Sequence, residues 1–370
     1  MSGGAGEVFD AVVVGGGQAG LAMGYELKRT GRPFVILEAN PRIGDSWRQR
    51  WDSMRLFTPG WYDSLNGMRF TGPRNSPPTK DEFADYLERY SHHLGLPVRT
   101  GVSVDRISGG AEGFTVEANG EAIRSSRVVV ATGAFHNPWI PQFAARLNPG
   151  IKQVHSRYYR NPTQLEPGGV LVVGAGNSGA DISLEVAPTH ETWLSGRHPG
   201  HVPFRIEGLL TRHLVHVVRF AGHHLLNLGT PVGRKLIPKI KAGGDPLVRV
   251  KPKDIIAAGV HRVPKVAGVK NGLPELEDGT TLDVANVIWC TGFRPDFSWI
   301  ELPVFDEEGM PIHDRGVVPG APGLYFLGLE FQYGVTSDII CGVGRDAAYL
   351  TAHLESSGAE PAWAHNQVPA

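Results

Sequence analysis

The stretch Phe9-Asp-Ala-Val-Val-Val-Gly-Gly-Gly-Gln-Ala-Gly20 decides how the chain folds. Its apolar run, Ala11 to Val14, has no alternating polar residues, which is typical of a strand buried on both faces of a parallel sheet. The glycines follow this run without a gap and open a segment, Gln18 to Arg29, with apolar residues at helical spacing. Phe34 to Glu38 is a second apolar strand. The pattern predicts a strand–helix–strand unit.

Three glycines and one carboxylate in this unit have the spacing of a dinucleotide site. Gly15 allows the tight turn, Gly17 lets a pyrophosphate approach the backbone, and Gly20 lets the helix pack closely on the strand. The helix N-terminus supplies free N–H groups and a partial positive charge for the phosphates. Glu38 follows Gly20 by 18 residues, where an acid accepts hydrogen bonds from ribose hydroxyls. We therefore predict that a dinucleotide binds here.

The same pattern returns 159 residues later, in Gly169-Val-Leu-Val-Val-Gly174-Ala-Gly176-Asn-Ser-Gly179. Arg197 follows Gly179 by 18 residues, the offset at which the first unit has Glu38. An arginine near this place accommodates a 2′-phosphate, which a carboxylate would repel. The second unit therefore favours NADPH over NADH. The alternative is that Arg197 is only a solvated loop residue.

Length and composition indicate a globular enzyme. The 370 residues favour two domains, and 41% hydrophobic with 20% charged residues suits a soluble protein. A net charge of −1 without a long basic run argues against nucleic acid as a partner. We expect neither a secretory signal nor a transmembrane helix. Two distant cysteines, Cys290 and Cys341, fit a cytoplasmic protein without a disulfide framework or a metal site.

Other segments predict how the two units are connected and covered. The aromatic and arginine-rich stretch after Asn40 is expected to be irregular; it could cover a flat heterocycle, or it could be surface packing. Thr79-Lys-Asp-Glu82 is a capping box, so a helix should begin near Lys80. A closing helix is predicted from Ile339 to Leu354, interrupted by two glycines. Further strands are predicted at Val102–Ile107, Phe114–Ala118, Arg127–Ala134, Leu282–Gly292 and Gly323–Leu329.

Residues 205–250 have the character of a helical insertion. Six apolar residues share one helical face: Leu210, Leu214, Val217, Val218, Ala221 and Leu225. Four basic residues or histidines lie off that face: Arg212, His216, Arg219 and His223. A helical lid or channel wall is the favoured interpretation. A helix lying on a membrane surface is the alternative.

Two motifs at strand ends complete the pattern, Ala131-Thr-Gly133 and Thr291-Gly-Phe-Arg-Pro-Asp296. With the two nucleotide motifs they resemble the two-dinucleotide flavoproteins. The thiol-dependent branch of that superfamily needs a redox-active cysteine pair, which is missing here. What remains is similar to the class B flavin monooxygenases, in the flavin-containing monooxygenase branch with small bacterial and YUCCA-like members. The resemblance covers about residues 8–355 and includes Trp51-Asp-Ser-Met-Arg-Leu.

The resemblance implies an α/β fold of two Rossmann-like dinucleotide-binding domains, each with a parallel sheet in three layers. Residues 1–150 and 290–370 would form the FAD domain, and 151–289 an inserted NADPH domain. The resemblance places FAD against Gly15, Gly17, Gln18, Ala19, Gly20, Glu38, Arg42, Ser46, Trp47, Thr58, Val104, Ala131, Thr132 and Gly133. It places NADPH, with NADH as the alternative, against Gly174, Gly176, Asn177, Ser178, Gly179, Arg197, Thr291 and Gly292.

The family fingerprint before the second nucleotide motif is F-x-G-x-x-x-H-x-x-x-Y. His155 and Tyr159 fit it, whereas Ile151 and Pro149 stand at its Gly and Phe positions. Baeyer–Villiger relatives usually carry Trp or Pro at the tyrosine position. The animal enzymes place an Asn near the oxygen adduct of the flavin, and the matching loop here has Thr58 instead. Thr58 is therefore the one weak catalytic candidate.

The implied reaction passes a hydride from NADPH to FAD and adds O2 to form a C4a-peroxyflavin. A small substrate with a soft sulfur or nitrogen nucleophile would then take one oxygen atom. The alternatives are an NAD(P)H oxidase, an NAD(P)H:acceptor reductase, a Baeyer–Villiger monooxygenase and a non-catalytic FAD-binding or redox-sensing protein. Fold alone does not choose among them. A homodimer is left open.

Overall fold

The first sheet contains the strand–helix–strand unit that the sequence predicts. The computed structural model describes residues 7–110, 112–203, 216–217, 220–243 and 245–357. The strands of this sheet are β1 (Val8–Val14), β2 (Phe34–Glu38), β3 (Val98–Thr100), β4 (Val104–Gly110), β5 (Gly113–Ala118) and β6 (Glu121–Val130), joined from far along the chain by β14 (Leu324–Phe326). β1 lies between β2 and β6 and is parallel to both. The predicted strand at 102–107 begins two residues later, and β3 was not foreseen.

Helices cover this sheet and position its nucleotide turn. They are α1 (Gln18–Thr30), the short α2 (Asp45–Arg48) and α3 (Lys80–His93). The capping box is confirmed: the Thr79 side chain accepts from the Glu82 backbone N–H, and the Glu82 carboxylate accepts from the Thr79 N–H. The prediction that the stretch after Asn40 is irregular was wrong at α2. Gly44, at φ 89°, supplies the left-handed turn from which that helix starts.

The second sheet is parallel throughout and repeats the first arrangement. Its strands are β7 (Lys152–His155), β8 (Val170–Val173), β9 (Thr192–Ser195), β10 (His261–Val263) and β13 (Asn286–Trp289), in the order β10-β9-β8-β13-β7. Helix α4 (Asn177–Val186) follows β8 as α1 follows β1. The hairpin β11 (Val266–Lys270) and β12 (Leu273–Leu276) stands beside the sheet. The strand predicted at 282–292 is shorter, because only Asn286–Trp289 finds ladder partners on both sides.

The closing helix, Ile340–Ser356, runs without interruption, so the predicted break at its glycines was wrong. A Cβ at Gly342 would overlap the Thr336 carbonyl oxygen, and one at Gly344 would lie 3.0 Å from the Asn66 amide nitrogen. These glycines allow close packing. Their cost in helix propensity, about 1 kcal/mol each, is outweighed by the buried face of the helix.

The described part of the insertion packs against the C-terminal part of the chain. It contains a π-helical turn (Ala221–Leu225) and the helix α5 (Pro231–Gly243). Helix α6 (Pro252–Ala257) follows the insertion, and the closing helix is therefore α7. The Leu228 N–H donates to the Tyr333 carbonyl at 2.7 Å, and Arg345 donates to the His223 carbonyl at 3.1 Å.

The helical face predicted for the insertion lies only partly among the described residues. Leu210, Leu214 and Val218 lie outside them, as do Arg212 and Arg219. Val217 and Leu225, two residues of that face, are 62% and 47% exposed. Among the helices that the structure describes, none is long and apolar enough to cross a membrane.

One tryptophan joins the two halves of the molecule. Trp51 follows β2 in the chain, yet its side chain is only 4% exposed and belongs to the core of the second sheet, with Tyr159 and Ile288. The neighbouring Asp52 N–H donates to the Arg160 carbonyl at 2.8 Å. The loop after α2 therefore packs on the second sheet.

Candidate functional site

The first glycine turn leaves room where a pyrophosphate would approach. Gly15 has φ 106°, and a Cβ there would lie 2.6 Å from the Ala131 carbonyl oxygen. A Cβ at Gly20 would overlap the Gly15 carbonyl oxygen. A Cβ at Gly17, by contrast, would meet nothing within 4 Å. Two glycines thus serve packing, and the third leaves the N-terminus of α1 open to a ligand.

Glu38 both fixes this turn and faces the ligand position. Its Oε2 accepts from the Gly16 N–H at 2.7 Å, and its Oε1 accepts from the Asn40 N–H at 2.8 Å. Oε1 also accepts from the Asn40 side-chain amide at 2.5 Å. A carboxylate oxygen accepts about two hydrogen bonds, so Oε2 keeps capacity for a ribose hydroxyl. The side chain is buried at the carboxyl end of β2. The acid thus lies beside the turn, as its spacing predicts.

The second glycine turn has nearly the same backbone as the first. Gly174 has φ 111°, and Gly176 has φ −74° and ψ −171°, against −75° and −171° at Gly17. A Cβ at Gly179 would overlap the Gly174 carbonyl oxygen, whereas a Cβ at Gly176 would meet nothing within 4 Å. The repeat seen in the sequence is therefore a repeat of local geometry.

The side chains around the second turn differ from those around the first. Asn177 is held by the loop before α6, since it donates to the Pro246 carbonyl at 3.1 Å and accepts from the Val248 N–H at 3.0 Å. Arg197 follows β9, is exposed and has no ion pair within the described part of the chain. Ser178 lies half-buried in the first turn of α4. An exposed guanidinium at this edge fits a 2′-phosphate.

The other residues predicted to contact FAD differ in their exposure and in their contacts. Gln18 accepts weakly from the Trp47 indole at 3.4 Å, and Trp47 packs edge-on against Phe83. Arg42 is committed to Glu88 through two hydrogen bonds, of 2.7 and 2.6 Å. The remaining positions are Ala19 and Ala131, which are buried, Thr132 and Val104, which are half-buried, and Ser46 and Gly133, which are exposed.

Thr58 is engaged with a carboxyl group that the sequence did not single out. Its hydroxyl donates to Asp63 Oδ1, and Asp63 Oδ2 has no hydrogen-bond partner among the described residues. Asp63 is 0% exposed. Burial raises the pKa of Asp63 to about 8, although the hydrogen bond from Thr58 opposes that shift. The loop therefore holds a carboxyl group that stays protonated at neutral pH.

The fingerprint histidine connects the second sheet to the linker after β13. His155 Nε2 lies 3.0 Å from the Gly292 carbonyl oxygen, and Nδ1 accepts from the Arg157 N–H at 3.0 Å. These contacts require the neutral tautomer protonated on Nε2, and burial lowers the pKa of His155 accordingly. In the same linker the Thr291 hydroxyl donates to the Trp139 carbonyl. The predicted Thr291 and Gly292 thus lie where the chain returns from the second sheet.

Sequence reasoning missed a cluster at the crossing between the two sheets. Arg50 lies 5.4 Å from the ring centroid of Phe135 and 5.5 Å from that of Phe293, and the two rings meet edge-on. Phe135 follows β6 and Phe293 follows β13, so both rings lie on segments that connect the two sheets. We call Arg50, Phe135 and Phe293 the linker clasp. Within the described residues no carboxylate pairs with Arg50. Burial, and then Arg157 and Arg160, lower its pKa to about 10. Phe293 lies in the motif Thr291–Asp296, but no local pattern connects it to Arg50 or Phe135.

The residues around the two turns fit two dinucleotides of different charge. Both turns leave open space at the middle glycine and aim a helix N-terminus at it. The acid beside the first turn suits a free ribose, as in the adenosine part of FAD. The guanidinium beside the second suits NADPH. Among the described residues, no group of three His, Cys, Asp or Glu side chains is arranged to hold a metal ion.

Comparisons with known proteins agree with this geometry. The family model for pyridine nucleotide-disulphide oxidoreductase matches residues 12–195. An uncharacterized CzcO-like oxidoreductase of Geobacillus kaustophilus is 42% identical over 93% of this chain and 97% of its own length. The indole-3-pyruvate monooxygenase YUCCA1 of Oryza sativa subsp. japonica is 32% identical over 91% and 90%.

A solved structure gives the same answer for the fold. The flavin-containing monooxygenase from Stenotrophomonas maltophilia is 28% identical, and the alignment covers 94% of this chain and 98% of that one with a TM-score of 0.76. The similarity thus extends over more than nine tenths of the chain and is not confined to the two glycine turns. Taken with the paired nucleotide turns and the missing cysteine pair, this similarity shows that the chain belongs to the class B flavin-dependent monooxygenases.

Proposed function

We propose that the chain is a cytoplasmic FAD-dependent monooxygenase that uses NADPH and transfers one oxygen atom from O2 to a small substrate with a soft sulfur or nitrogen nucleophile. The observation that carries this proposal is the pair of matching turns with opposite charges, Glu38 beside the first and Arg197 beside the second. A homodimer stays a prediction.

Four residues at the two turns have binding roles in this proposal. Gly17 and Gly176 leave the backbone open to the two pyrophosphates. Glu38 accepts hydrogen bonds from the ribose of FAD, and Arg197 binds the 2′-phosphate of NADPH. Bound FAD, once reduced by NADPH, supplies the electrons that activate O2. The protein supplies position and excludes water.

The tyrosine of the family fingerprint supports a soft nucleophile as the substrate. Baeyer–Villiger relatives usually carry Trp or Pro where this chain has Tyr159. Oxygen transfer to a thioether needs a protonated, electrophilic oxygen and no base from the protein. Attack on a ketone needs a deprotonated oxygen and a donor that polarises the carbonyl group. The heteroatom substrate therefore makes the smaller demand on the side chains of the site.

An NAD(P)H oxidase is the second candidate, and Thr58 is the reason. Its hydroxyl is already used by Asp63, and it is shorter than the Asn that related enzymes place there. A flavin held less firmly at this position would release peroxide. We therefore expect part of the NADPH to be consumed without product.

One competition assay tests the proposal. The enzyme receives NADPH, O2, a small aryl thioether and a cyclic ketone together, with a peroxide scavenger present. The proposal expects sulfoxide as the main product. Lactone as the main product would overturn the substrate class, and peroxide without either product would favour the oxidase.

A further inference from the structure

The insertion carries an unusual charge pattern. No acidic residue occurs between Glu207 and Asp245, although acids make up 37 of the 370 residues of the chain. Six lysines and arginines fall in the same interval: Arg212, Arg219, Arg234, Lys235, Lys239 and Lys241. At the average frequency of one acid in ten residues, three or four would be expected here. The segment is therefore strongly basic within a chain of net charge −1.

The same segment exposes an unusual amount of apolar side chain. Six of the thirteen exposed large hydrophobic residues in the described chain lie between 216 and 243. They are Val217, Phe220, Leu225, Leu228, Val232 and Leu236, with exposures from 37% to 62%. Single exposed hydrophobic residues are normal on a protein surface, but a concentration of them marks an interaction site.

Helix α5 shows how the apolar and basic residues are arranged. Val232 and Leu236 are one turn apart and exposed, and Lys235 and Lys239 form a parallel exposed pair beside them. The opposite side is fixed, because Ile237 is buried and a Cβ at Gly233 would overlap the Asn227 carbonyl oxygen. No carboxylate pairs with either lysine among the described residues. The outward side therefore combines an apolar row with a row of unpaired cations.

The orientation of this outward side is set by contacts with the body of the protein. The Val335 N–H donates to the Leu226 carbonyl at 3.1 Å, and Asn227 forms a bridge with Gly334. On another side, the His216 ring stacks on Trp61 at 4.2 Å between centroids. The insertion is thus held on the protein by its inner contacts, and its apolar and basic residues remain outside.

We propose that the outward side of residues 220–240 binds the surface of a membrane that contains anionic lipids. The exposed apolar side chains would enter the region between headgroups and acyl chains. Lys235 and Lys239 would extend to the lipid phosphates. A nucleic acid would match the charge but not the exposed Val232 and Leu236. A second copy of the chain would match the apolar residues, but its equal positive charge would repel. Only an anionic lipid surface matches both features. This inference does not depend on the substrate of the enzyme.

Vesicle sedimentation with the FAD-loaded full chain tests the proposal. We expect the protein to sediment with phosphatidylcholine vesicles that contain about 30 mol % phosphatidylglycerol, and to stay in solution with pure phosphatidylcholine. Each lysine near an anionic surface strengthens binding about fivefold. Lys235→Glu/Lys239→Glu should therefore weaken binding by about thirtyfold or more. Val232→Ser/Leu236→Ser should weaken it as well, since apolar area drives insertion.

Matched controls make the same changes elsewhere on the surface. Lys265→Glu/Lys270→Glu changes the net charge equally, and Ile256→Ser/Ile312→Ser removes two other exposed apolar residues. The FAD absorbance reports that each variant is folded, and the milder Lys235→Gln/Lys239→Gln replaces any variant that loses FAD. The proposal is overturned if wild type shows no preference for anionic vesicles, or if the controls lose as much binding. Retention on RNA without vesicle binding would overturn it too, as would a dimer that only Val232→Ser/Leu236→Ser dissociates.

Discussion

At the scale of single residues, Asp63 makes the stability of the protein depend on pH. Its pKa is about 8 in the folded chain, against an ordinary value of 3.8. Between these values the folded state keeps a proton that the unfolded chain has lost. The stability that this proton contributes is fully present below pH 3.8 and is lost as the pH rises toward 8. In that window the free energy of unfolding falls by up to about 1.4 kcal/mol per pH unit.

Asp63→Asn should remove this contribution to the pH dependence of the free energy of unfolding. The amide stays neutral at every pH, so the free energy of unfolding of the variant should fall less between pH 5 and pH 8 than that of wild type. Urea unfolding followed by tryptophan fluorescence at several pH values measures the difference. Parallel curves for the two proteins would mean that Asp63 titrates normally in the folded state.

Arg197 should decide the choice of coenzyme. Losing a hydrogen bond between charged groups costs about 1.5–3 kcal/mol, which is about 10–150-fold in affinity. Arg197→Ala should therefore raise the KM for NADPH by that factor and leave the KM for NADH nearly unchanged. Arg69→Ala, another exposed arginine, serves as the control. Equal effects on both coenzymes would refute the assigned role of Arg197.

The sequence could predict Arg197 but not the state of Asp63. The arginine lies at a fixed offset from a glycine motif, and such offsets are local properties of the chain. The burial of Asp63 depends on packing by residues that no local pattern connects to it, such as Tyr86 on α3, whose pKa is raised by burial and by the Asp63 charge. Contacts of this kind are decided by the tertiary structure.

At the scale of elements, Gly176 and Gly179 should respond differently to substitution by alanine. Gly176→Ala has room for its Cβ, so the protein should fold with FAD but bind NADPH more weakly, because the methyl group takes the place of a phosphate. Gly179→Ala would force α4 away from β8, at a cost of about 1–3 kcal/mol or more.

A coenzyme titration and a thermal melt separate the two effects. Gly176→Ala should change the Kd for NADP⁺ and leave the Tm within about 2 °C. Gly179→Ala should lower the Tm by several degrees. A lowered Tm for Gly176→Ala would mean that the open space at that glycine is needed by the protein itself.

Helices and strands were predicted well where hydrophobic periodicity and capping residues determine them. They were predicted poorly where contacts with residues distant in the sequence determine them. The strand and helix around Gly15 and the capping box at Thr79 follow from adjacent residues. The closing helix was predicted with a break, because interior glycines disfavour helix in an isolated chain. Gly342 instead lies against Thr336, and only the folded structure shows why a side chain is excluded there.

At the scale of the whole molecule, the linker clasp should control how the two sheets face each other. Each cation–π contact of Arg50 contributes about 0.5–1 kcal/mol, so losing both weakens the observed arrangement by about five- to thirtyfold. In Arg50→Met, flavin reduction at saturating NADPH should slow by a factor in that range. The FAD content of the variant must equal that of wild type for the rates to be compared.

Stopped-flow absorbance at the flavin band measures this rate. Arg50→Lys keeps a cation and should recover part of the loss, while Arg69→Met reports the effect of removing an unrelated arginine. A reduction rate within twofold of wild type in Arg50→Met would show that the clasp does not set the arrangement. A change confined to the KM for NADPH would point to coenzyme contact instead.

Trp51 limits how freely the two halves of this protein can be exchanged in evolution or by recombination. Its indole completes the core of the second sheet, yet it is encoded about a hundred residues before the first strand of that sheet. A chimaera that takes residues 151–289 from a relative would inherit a core shaped for a different loop. A mismatch that leaves the indole site empty costs about 3–5 kcal/mol. The halves look like modules in the sequence, but they share one interior and must be inherited together.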